Sequence, residues 1–453
     1  MPVTWTNWTG QQRCAPEALV RPASESEVAA AVGRARERGL GVRAVGSGHS
    51  FTDIACTDGV MLDLSGMDRV LDHDSSSGVV RVQAGISINA LGRALEERGL
   101  ALENQGDIDR QTLAGAAATA THGTGVRFAN LSSRIEAVRM VTGEGELVEV
   151  SEESDRETLL AARVGLGTVG VVTEVTLRAV PLFTVRRVDD PRPLRDTLDA
   201  VDELVETSDH FELWVFPHSD VALTRTSQRI DAPPRSGDRR RLWVQEALLE
   251  NALLEAICRV GRAAPPLIPS LNRAIPRLAS RSTKVDRSWR VYASRRSVRF
   301  TEMEYAIPRE HGREALERVL ELVHRRRLPV NFPVEFRFVA GDDAFLSTAY
   351  GRDTCYIAVH QFRGMEYETY FRAVERIMDD YGGRPHWGKR HYQSAATLAP
   401  RYPAWERFQA VRARLDPGGV FANDYTRRVL GPVAGGDGGL DDRSADHAHA
   451  AAE

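Results

Sequence analysis

Hydrophobic positions follow two different periods in the first part of the chain. Some apolar side chains recur at three- and four-residue spacing behind capping residues, which is the pattern of an amphipathic helix. Others form short runs bounded by glycine and polar residues, which is typical of strands. The two kinds alternate without a regular long crossover, so the pattern predicts an α+β fold rather than a doubly wound sheet. The predicted helices cover 24–39 and 87–98, and the predicted strands cover 42–45, 60–64, 79–84, 135–141, 147–150 and 167–177.

The pattern changes near residues 181–193, where prolines and charged residues interrupt the apolar runs. Beyond this point, strict alternation of apolar and polar positions predicts long strands, and helical stripes predict two further helices. A second domain built on a sheet is therefore expected. Residues 433–453 are rich in Gly, Asp and Ala and predict a disordered tail, while the basic stretch 233–241 predicts a solvated loop. The predicted strands of this half are 211–215, 301–307 and 334–338, and the helices are 312–326 and 367–381.

Composition narrows the class of protein. The 453 residues are 42% hydrophobic and 27% charged with a formal net charge of −4, so no nucleic acid or anionic membrane is expected as a partner. The chain has no apolar stretch of about 18 residues, and neither a membrane span nor a signal peptide is predicted. The four cysteines are scattered, which favours a reduced, cytoplasmic protein over a disulfide scaffold. They are Cys14, Cys56, Cys258 and Cys355.

A short strand runs into a glycine turn with a histidine directly behind it. The turn lacks the third glycine of a dinucleotide fingerprint and the Gly-Lys-Ser/Thr of a P-loop. Its glycines allow a sharp bend whose N–H groups can close around a diphosphate, although an ordinary glycine-rich turn remains the alternative. The candidate binding residues are Val45, Gly46, Ser47, Gly48, His49 and Ser50.

Three further blocks accompany this turn. They are Ala-Thr-Ala-Thr-His-Gly-Thr-Gly at 118–125, Leu-Gly-Thr-Val-Gly-Val-Val-Thr-Glu-Val-Thr-Leu at 166–177 and His-Trp-Gly-Lys at 386–389. In this order the blocks resemble the aldonolactone oxidoreductases, flavoenzymes of the vanillyl-alcohol-oxidase superfamily that oxidise L-gulono-1,4-lactone or D-arabinono-1,4-lactone. The likeness extends from about residue 8 to residue 432.

The resemblance implies a two-domain, vanillyl-alcohol-oxidase-like fold of the PCMH type. Residues 1–12 would form an N-terminal arm and 13–183 the FAD-binding domain. Residues 184–432 would form the substrate domain, with their last part packing back on the FAD domain, and 433–453 the tail.

The resemblance also implies how FAD is held. The glycine turn would bind the diphosphate, and His49 would be bonded to the flavin 8α carbon; a histidine that only packs beside noncovalent FAD is the alternative. The small residues of 106–125 leave room for a flat ring, unless they form a closely packed loop. His122 is expected to be a hydrogen-bonded structural residue. Further cofactor-binding residues would be Gly106, Asp107, Thr121, Thr124, Gly125, Val171, Val172 and His386, with core burial as the alternative for the two valines.

The catalytic residues implied are Glu335, Arg337 and Lys389. Glu335 and Arg337 stand two apart in a predicted strand, so both face one side, where they can grip a polyol or lactone; a surface ion pair is the alternative. Lys389 would stabilise negative charge on the flavin or on a substrate oxygen. Structural roles are favoured for Glu302 and Glu304.

The reaction implied is hydride transfer from a carbinol carbon of the lactone to flavin N5. Glu335 or a lysine-linked water would take the hydroxyl proton, and L-gulono-1,4-lactone would give ascorbate after enolisation. The electrons would pass to O2 or to a cytochrome- or quinone-type acceptor. The segment 115–120 carries alanine methyl groups where several oxidases of the family have glycine or serine, which favours a dehydrogenase with poor use of oxygen. Alditol oxidases have a serine matching Ala116, so one polyol contact would be missing, which disfavours an alditol oxidase.

Three other functions are alternatives to the oxidation of a lactone. An alditol oxidase would share all the flavin residues, and a noncatalytic flavin-binding protein would keep the fold. A metal-dependent hydrolase is disfavoured, and no metal is expected, because the histidines form no compact ligand motif with Asp or Glu. These histidines are His122, His360, His386 and His391.

Overall fold

The computed structural model describes residues 3–235, 251–294 and 298–434. Most of the predicted basic loop 233–241 and nearly all of the predicted tail 433–453 lie outside these ranges. The described residues combine helices with a small parallel sheet, a five-stranded sheet and an eight-stranded sheet. This arrangement confirms the α+β prediction. None of the described helices has the length and apolar content that a bilayer crossing requires.

The small sheet is parallel, with the strand order β3-β5-β4. The helix Glu25–Glu37 packs on it through an apolar stripe, and its first turn is capped by Ser24, whose side chain accepts a hydrogen bond from the Glu27 N–H. The strand β4 ends immediately before the glycine turn, so the sheet sets the position of that turn. The strands of the small sheet are β3 (Ala18–Val20), β4 (Val42–Val45) and β5 (Val60–Asp63), while β1 (Trp5–Thr6) and β2 (Arg13–Cys14) form a separate two-stranded sheet.

The five-stranded sheet is antiparallel, in the order β10-β9-β11-β7-β6. Its apolar face shares one core with the helices of this domain and with the last helices of the chain, through side chains such as Phe408 and Tyr425. Its strands are β6 (Val70–Asp74), β7 (Val79–Gln83), β9 (Ile135–Val141), β10 (Leu147–Ser151) and β11 (Val171–Arg178), while β8 (Leu100–Ala101) and β12 (Val180–Pro181) form a separate two-stranded sheet. The helices are Ile88–Glu96, Leu113–Ala118, Arg156–Arg163, Ala395–Leu398, Trp405–Leu415 and Asp424–Leu430.

The eight-stranded sheet is antiparallel, in the order β16-β13-β15-β14-β18-β19-β17-β20. One face is apolar and is covered by the helices Gly312–Arg326 and Glu368–Asp379. The strands are β13 (Thr184–Pro193), β14 (His210–Val215), β15 (Val221–Ile230), β16 (Ser282–Arg287), β17 (Phe300–Pro308), β18 (Val334–Val339), β19 (Thr354–Phe362) and β20 (Arg384–Pro385). Further helices are Leu194–Asp199, Val201–Thr207, Asn251–Ala263, Ile268–Ala274 and Ser288–Tyr292.

Candidate active site

A continuous groove runs between the first domain and the polar face of the eight-stranded sheet. Its deeper part has about 750 Å³ of empty space, including the part open to solvent, and lies under β17, β18 and β19. Its other part, called the narrower part below, has about 440 Å³ of empty space and follows residues 45–50. Four residues line both parts, so the two join into one site with the predicted linkage residue at the junction. They are His49, Ser50, Gln111 and Thr119.

The glycine turn presents backbone donors to the narrower part of the groove. Gly48 has a φ of +65°, and a Cβ there would stand 2.9 Å from the Trp5 ring, so the turn requires glycine. The N–H groups of residues 47–50 donate to no acceptor in the described part of the structure. Successive N–H groups with no protein acceptor form a nest that suits an anion, and the turn therefore fits a diphosphate.

The His49 imidazole lies at the junction of the two parts of the groove. Its ring stacks on Trp8, with centroids 5.3 Å apart and an angle of 22° between the planes. Burial lowers the pKa of His49, and the positive charge of Arg110 lowers it further. The imidazole is therefore held in its neutral, nucleophilic form.

Gly106, Asp107 and Thr121 line the deeper part of the groove, as predicted for the segment 106–125. The hydroxyl of Thr121 is buried without a hydrogen-bond partner among the described residues, so a bound polar ring can supply one. Ala116 lies instead in the hydrophobic core, within the helix Leu113–Ala118. Its side chain does not line the groove, so the structure gives no support to the polyol contact inferred at this position.

Thr124 and Gly125 do not line this groove; they contact the second domain, and Thr124 also lines an adjoining cavity with Asp107 and Arg337. The Thr124 hydroxyl donates to the Phe211 carbonyl oxygen at 2.5 Å, and the Gly125 N–H donates to the Phe338 carbonyl oxygen at 2.6 Å. Both acceptors belong to the eight-stranded sheet, so this segment, called the joint below, connects the first domain to that sheet.

The side chains of Val171 and Val172 lie away from the groove, whereas the resemblance implies that backbone groups of this strand bind the cofactor. Val171 is buried in the core beside the small parallel sheet, and Val172 packs against the core of the five-stranded sheet. Their side chains serve packing, and the backbone contact of this strand with the cofactor stays a prediction. Of the predicted cofactor-binding residues, the groove thus brings together Val45, Gly46, Ser47, Gly48, His49, Ser50, Gly106, Asp107, Thr121 and His386.

Glu335 and Arg337 project from β18 onto the polar face of the sheet, as their spacing predicts. Phe336 and Phe338 point to the opposite, apolar face. Glu335 lies opposite Ala358 of the neighbouring strand β19, and Ala358 lies opposite Glu304 of the next strand, β17. The polar positions of β17, β18 and β19 therefore converge over the deeper part of the groove.

Arg337 is surrounded by carboxylates. It forms ion pairs with Glu335, with Glu212 at 2.8 Å and with Asp107 at 3.5 Å. Burial disfavours its charge, but Glu212, Glu335 and Asp107 raise the pKa of Arg337 well above its ordinary value. The guanidinium is a fixed cation that can bind an oxygen-rich ligand.

Lys389 enters the same space from the loop after β20. Its Nζ lies 2.6 Å from Glu302 Oε1 and 2.7 Å from Glu304 Oε2. Burial opposes its charge, but these two carboxylates raise the pKa of Lys389 well above its ordinary value. Burial acts against the charge of Glu302 as well, yet Lys389 and His360 lower its pKa to about 2. The side chains form one buried, ionised network.

Two histidines complete this network. His122 Nε2 lies 3.2 Å from Glu304 Oε2, and His360 Nε2 lies 3.3 Å from Glu302 Oε1. The Nδ1 of each ring faces a backbone carbonyl oxygen. The hydrogen-bonded role expected for His122 therefore matches its position. His360 and Glu302 line the groove, and sequence reasoning assigned no site role to His360.

His386 lies deeper, beside Lys389, and accepts a hydrogen bond from the Gly388 N–H at 3.1 Å. Burial, reinforced by Lys389, lowers the pKa of His386 to about 3, so the imidazole stays neutral.

The structure corrects the expectation that the histidines form no compact set with acidic residues. Candidate ligand atoms of His122, Glu304 and His386 lie within 4.8 Å of one another, and so do those of a second group. Lys389, however, already pairs with a carboxylate of each group, and its fixed positive charge opposes a divalent cation there. The second group is Glu302, Glu335 and His360.

Two family profiles match the chain. The profile of D-arabinono-1,4-lactone oxidase matches residues 175–429, and that of an FAD binding domain matches residues 16–151. The solved structure of cholesterol oxidase from B. sterolicum superposes with a TM-score of 0.80, covering 95% of this chain and 97% of its own, at 17% identity. The structural likeness confirms the predicted fold.

Relatives of named function extend over almost the whole chain. L-gulono-1,4-lactone dehydrogenase of Mycobacterium tuberculosis is 61% identical over 94% of this chain and 99% of its own. L-gulonolactone oxidase of Bos taurus is 34% identical, and alditol oxidase of a Streptomyces species is 31% identical; each alignment covers 94% of this chain and 98% of the relative. With its family profile matched over more than half of its length, the chain belongs to the D-arabinono-1,4-lactone oxidase family and is an FAD-dependent oxidoreductase.

Proposed function

We propose that this protein oxidises a sugar 1,4-lactone, such as L-gulono-1,4-lactone or D-arabinono-1,4-lactone, at a carbinol carbon. The observation that carries the proposal is the row of fixed charges over the groove: Glu335, Arg337 and Lys389 face the space where a ring cofactor fits. The activities named for the relatives support the same substrate class.

The narrower part of the groove is proposed to hold the FAD diphosphate on the N–H groups of residues 47–50. The deeper part would hold the flavin ring beside Gly106 and Thr121, with a covalent link to His49. Bound there, FAD supplies a two-electron acceptor. The neutral imidazole at the junction and the buried, unpaired Thr121 hydroxyl support this placement.

Arg337 and Lys389 would bind the oxygens of the lactone and fix which carbinol hydrogen faces the flavin. Both groups stay cationic, because neighbouring carboxylates raise the pKa of each. Lys389 is therefore a hydrogen-bond donor and not a base. Such positioning contributes much of the catalysis expected for hydride transfer.

Glu335 is the proposed acceptor of the hydroxyl proton. Burial opposes the charge of Glu302 and Glu304, but Lys389 and a histidine at one oxygen of each lower the pKa of both carboxylates, so each is a weak base. Glu335 faces the groove and forms its ion pair with Arg337 alone among the described salt bridges. A carboxylate in this position can take a proton from a lactone hydroxyl.

The reduced cofactor would pass its electrons to O2 or to a cytochrome- or quinone-type acceptor. The relative that is 61% identical is named a dehydrogenase, which supports an acceptor other than oxygen. A reducing cytoplasm is the proposed location, supported by four cysteines that are all free.

Anaerobic mixing of the purified yellow protein with L-gulono-1,4-lactone, D-arabinono-1,4-lactone and xylitol tests the proposal. We expect rapid bleaching of the flavin by at least one lactone and slow or no bleaching by xylitol. Glu335→Gln should slow bleaching about 100-fold or more while the protein still binds lactone. Faster bleaching by xylitol would identify an alditol oxidase, and no bleaching by any of the three would contradict the proposal.

A further inference from the structure

The N-terminal residues 5–12 form hydrogen bonds with the segment that carries His49. The Trp8 N–H donates to the Gly48 carbonyl oxygen at 2.9 Å. The side-chain amide of Asn7 donates to the Ser50 carbonyl oxygen at 2.9 Å. The amide of Gln12 donates to the Phe51 carbonyl oxygen at 3.0 Å. The backbone is thus held immediately before and immediately after the histidine.

The histidine side chain is held by the same segment. The Trp8 indole stacks on the His49 ring, with 5.3 Å between centroids. The indole is itself fixed by edge contacts with Phe51 and Phe300, at 6.1 Å and 5.9 Å between centroids. Phe300 belongs to β17 of the other domain. The orientation of the imidazole therefore depends on a ring that both domains hold.

We infer that Trp8 is a positioning residue for covalent attachment of FAD to His49. The inference rests on the proposed function, because it assumes that His49 is the linkage residue. An imidazole can form a bond only when one ring nitrogen points at the carbon it attacks, and a free histidine side chain samples several rotamers. A flat indole against one face of the ring removes most of that freedom.

Attachment of the flavin to His49 is an oxidative coupling. A His49 ring nitrogen forms a bond to the 8α carbon of the flavin. One N–H bond of the imidazole and one C–H bond at the 8α carbon break, and both hydrogens leave as protons. The two electrons left on the flavin pass to the acceptor that reoxidises it in turnover, a quinone-type acceptor or O2, which takes up the two protons and becomes a quinol or hydrogen peroxide.

Covalent linkage of the flavin and binding of FAD depend on different groups. The diphosphate is held by the N–H groups of residues 47–50, and the Trp8 ring makes no hydrogen bond to that turn. Removing the ring should therefore lower the fraction of flavin that is covalently bound while FAD still occupies the groove. Loss of the whole cofactor would indicate a role in binding instead.

The test compares Trp8→Ala, Trp8→Leu and Trp8→Phe with the unchanged protein, purified after expression with FAD and checked for folding by circular dichroism. Flavin is measured in the acid-precipitated chain, as the covalent fraction, and in the supernatant. Gln11→Ala is the matched control, because Gln11 lies in the same segment but hydrogen bonds to Arg390.

We expect full linkage in the unchanged protein, in Gln11→Ala and in Trp8→Phe, which keeps a flat ring. Trp8→Ala and Trp8→Leu should show at least a five-fold lower covalent fraction with near-stoichiometric total FAD. Full linkage in the folded Trp8→Leu variant would overturn the inference, and so would loss of total FAD in parallel with linkage. Absence of covalent flavin in the unchanged protein would instead refute the tether at His49 itself.

Discussion

The Nε of Arg337 lies 2.8 Å from the Oε2 of Glu212, a carboxylate on the neighbouring strand. Glu212 in turn lies 3.4 Å from Arg225, and Arg225 lies 2.6 Å from Asp189. Alternating charges thus run across β13, β15, β14 and β18 and end at the groove. Burial raises the pKa of Glu212, whereas Arg337 and Arg225 act to keep it ionised. Glu212 orients the guanidinium from outside the groove.

Glu212→Gln should raise KM for the lactone about tenfold with little change in kcat, because Arg337 keeps its charge but loses a charged partner that fixes its direction. Steady-state kinetics measure KM and kcat separately. Leu213→Ala is the control: the neighbouring side chain lies in the apolar core on the opposite face, so its loss should lower stability without changing KM. An unchanged KM in Glu212→Gln would contradict the role assigned to this ion pair.

Lys389→Met should abolish most activity and also destabilise the fold by about 3–5 kcal/mol, because two buried carboxylates lose their shared cation. Combining it with Glu302→Gln and Glu304→Gln should recover much of the stability, since no uncompensated charge remains, but none of the activity. Urea unfolding and turnover separate the two effects. Recovery of activity in the triple variant would show that the ammonium has no role in catalysis.

Stability should fall between pH 6.5 and about pH 4, partly because of His210. Burial lowers the pKa of this imidazole from 6.5 to about 4. Its Nδ1 lies 2.7 Å from the Thr124 carbonyl oxygen and its Nε2 lies 2.7 Å from the Tyr292 hydroxyl oxygen, an arrangement that the neutral ring satisfies. The unfolded chain binds a proton that the native state excludes, so stability is complete above pH 6.5 and is lost as the pH falls through about 4.

This histidine should account for at most about 3 kcal/mol of the decrease. Urea unfolding at several pH values measures the free energy of unfolding and its decrease. The variant His210→Asn should be less stable at pH 7 but should show a shallower fall over the same range. An equally steep fall would assign the pH dependence to other groups.

Gly125→Ala should destabilise the protein by about 3 kcal/mol or more. Gly125 has a φ of +119°, and a Cβ there would overlap the Asp209 carbonyl oxygen and stand 2.7 Å from the Phe128 ring. Gly351→Ala is the control, because Gly351 has a φ of +68° with open space around it and should lose only about 1 kcal/mol. Thermal unfolding compares the two; equal losses would argue against crowding at the joint.

Alternation along the strands was sufficient to place Glu335 and Arg337 on one polar face. The same reasoning applies to Glu302 and Glu304, but two buried glutamates look like any solvated strand face until the lysine that pairs with them is located. Lys389 is more than 80 positions away in the chain. Only the folded sheet shows that all three groups meet.

Other parts of the site could not be inferred from local pattern. Thr124 and Gly125 belong to a small-residue segment, and small residues suit a close approach to a cofactor and to a strand equally well. The strand β13 was not predicted, because its charged positions resemble a surface loop. In the structure Arg187 and Asp189 of that strand are paired with each other at 2.9 Å.

The backbone hydrogen bond from Gly125 to Phe338 has a consequence for turnover. It joins the first domain to the eight-stranded sheet one residue from Arg337. We therefore expect the two domains to keep their relative positions during turnover, so that domain closure does not limit the rate.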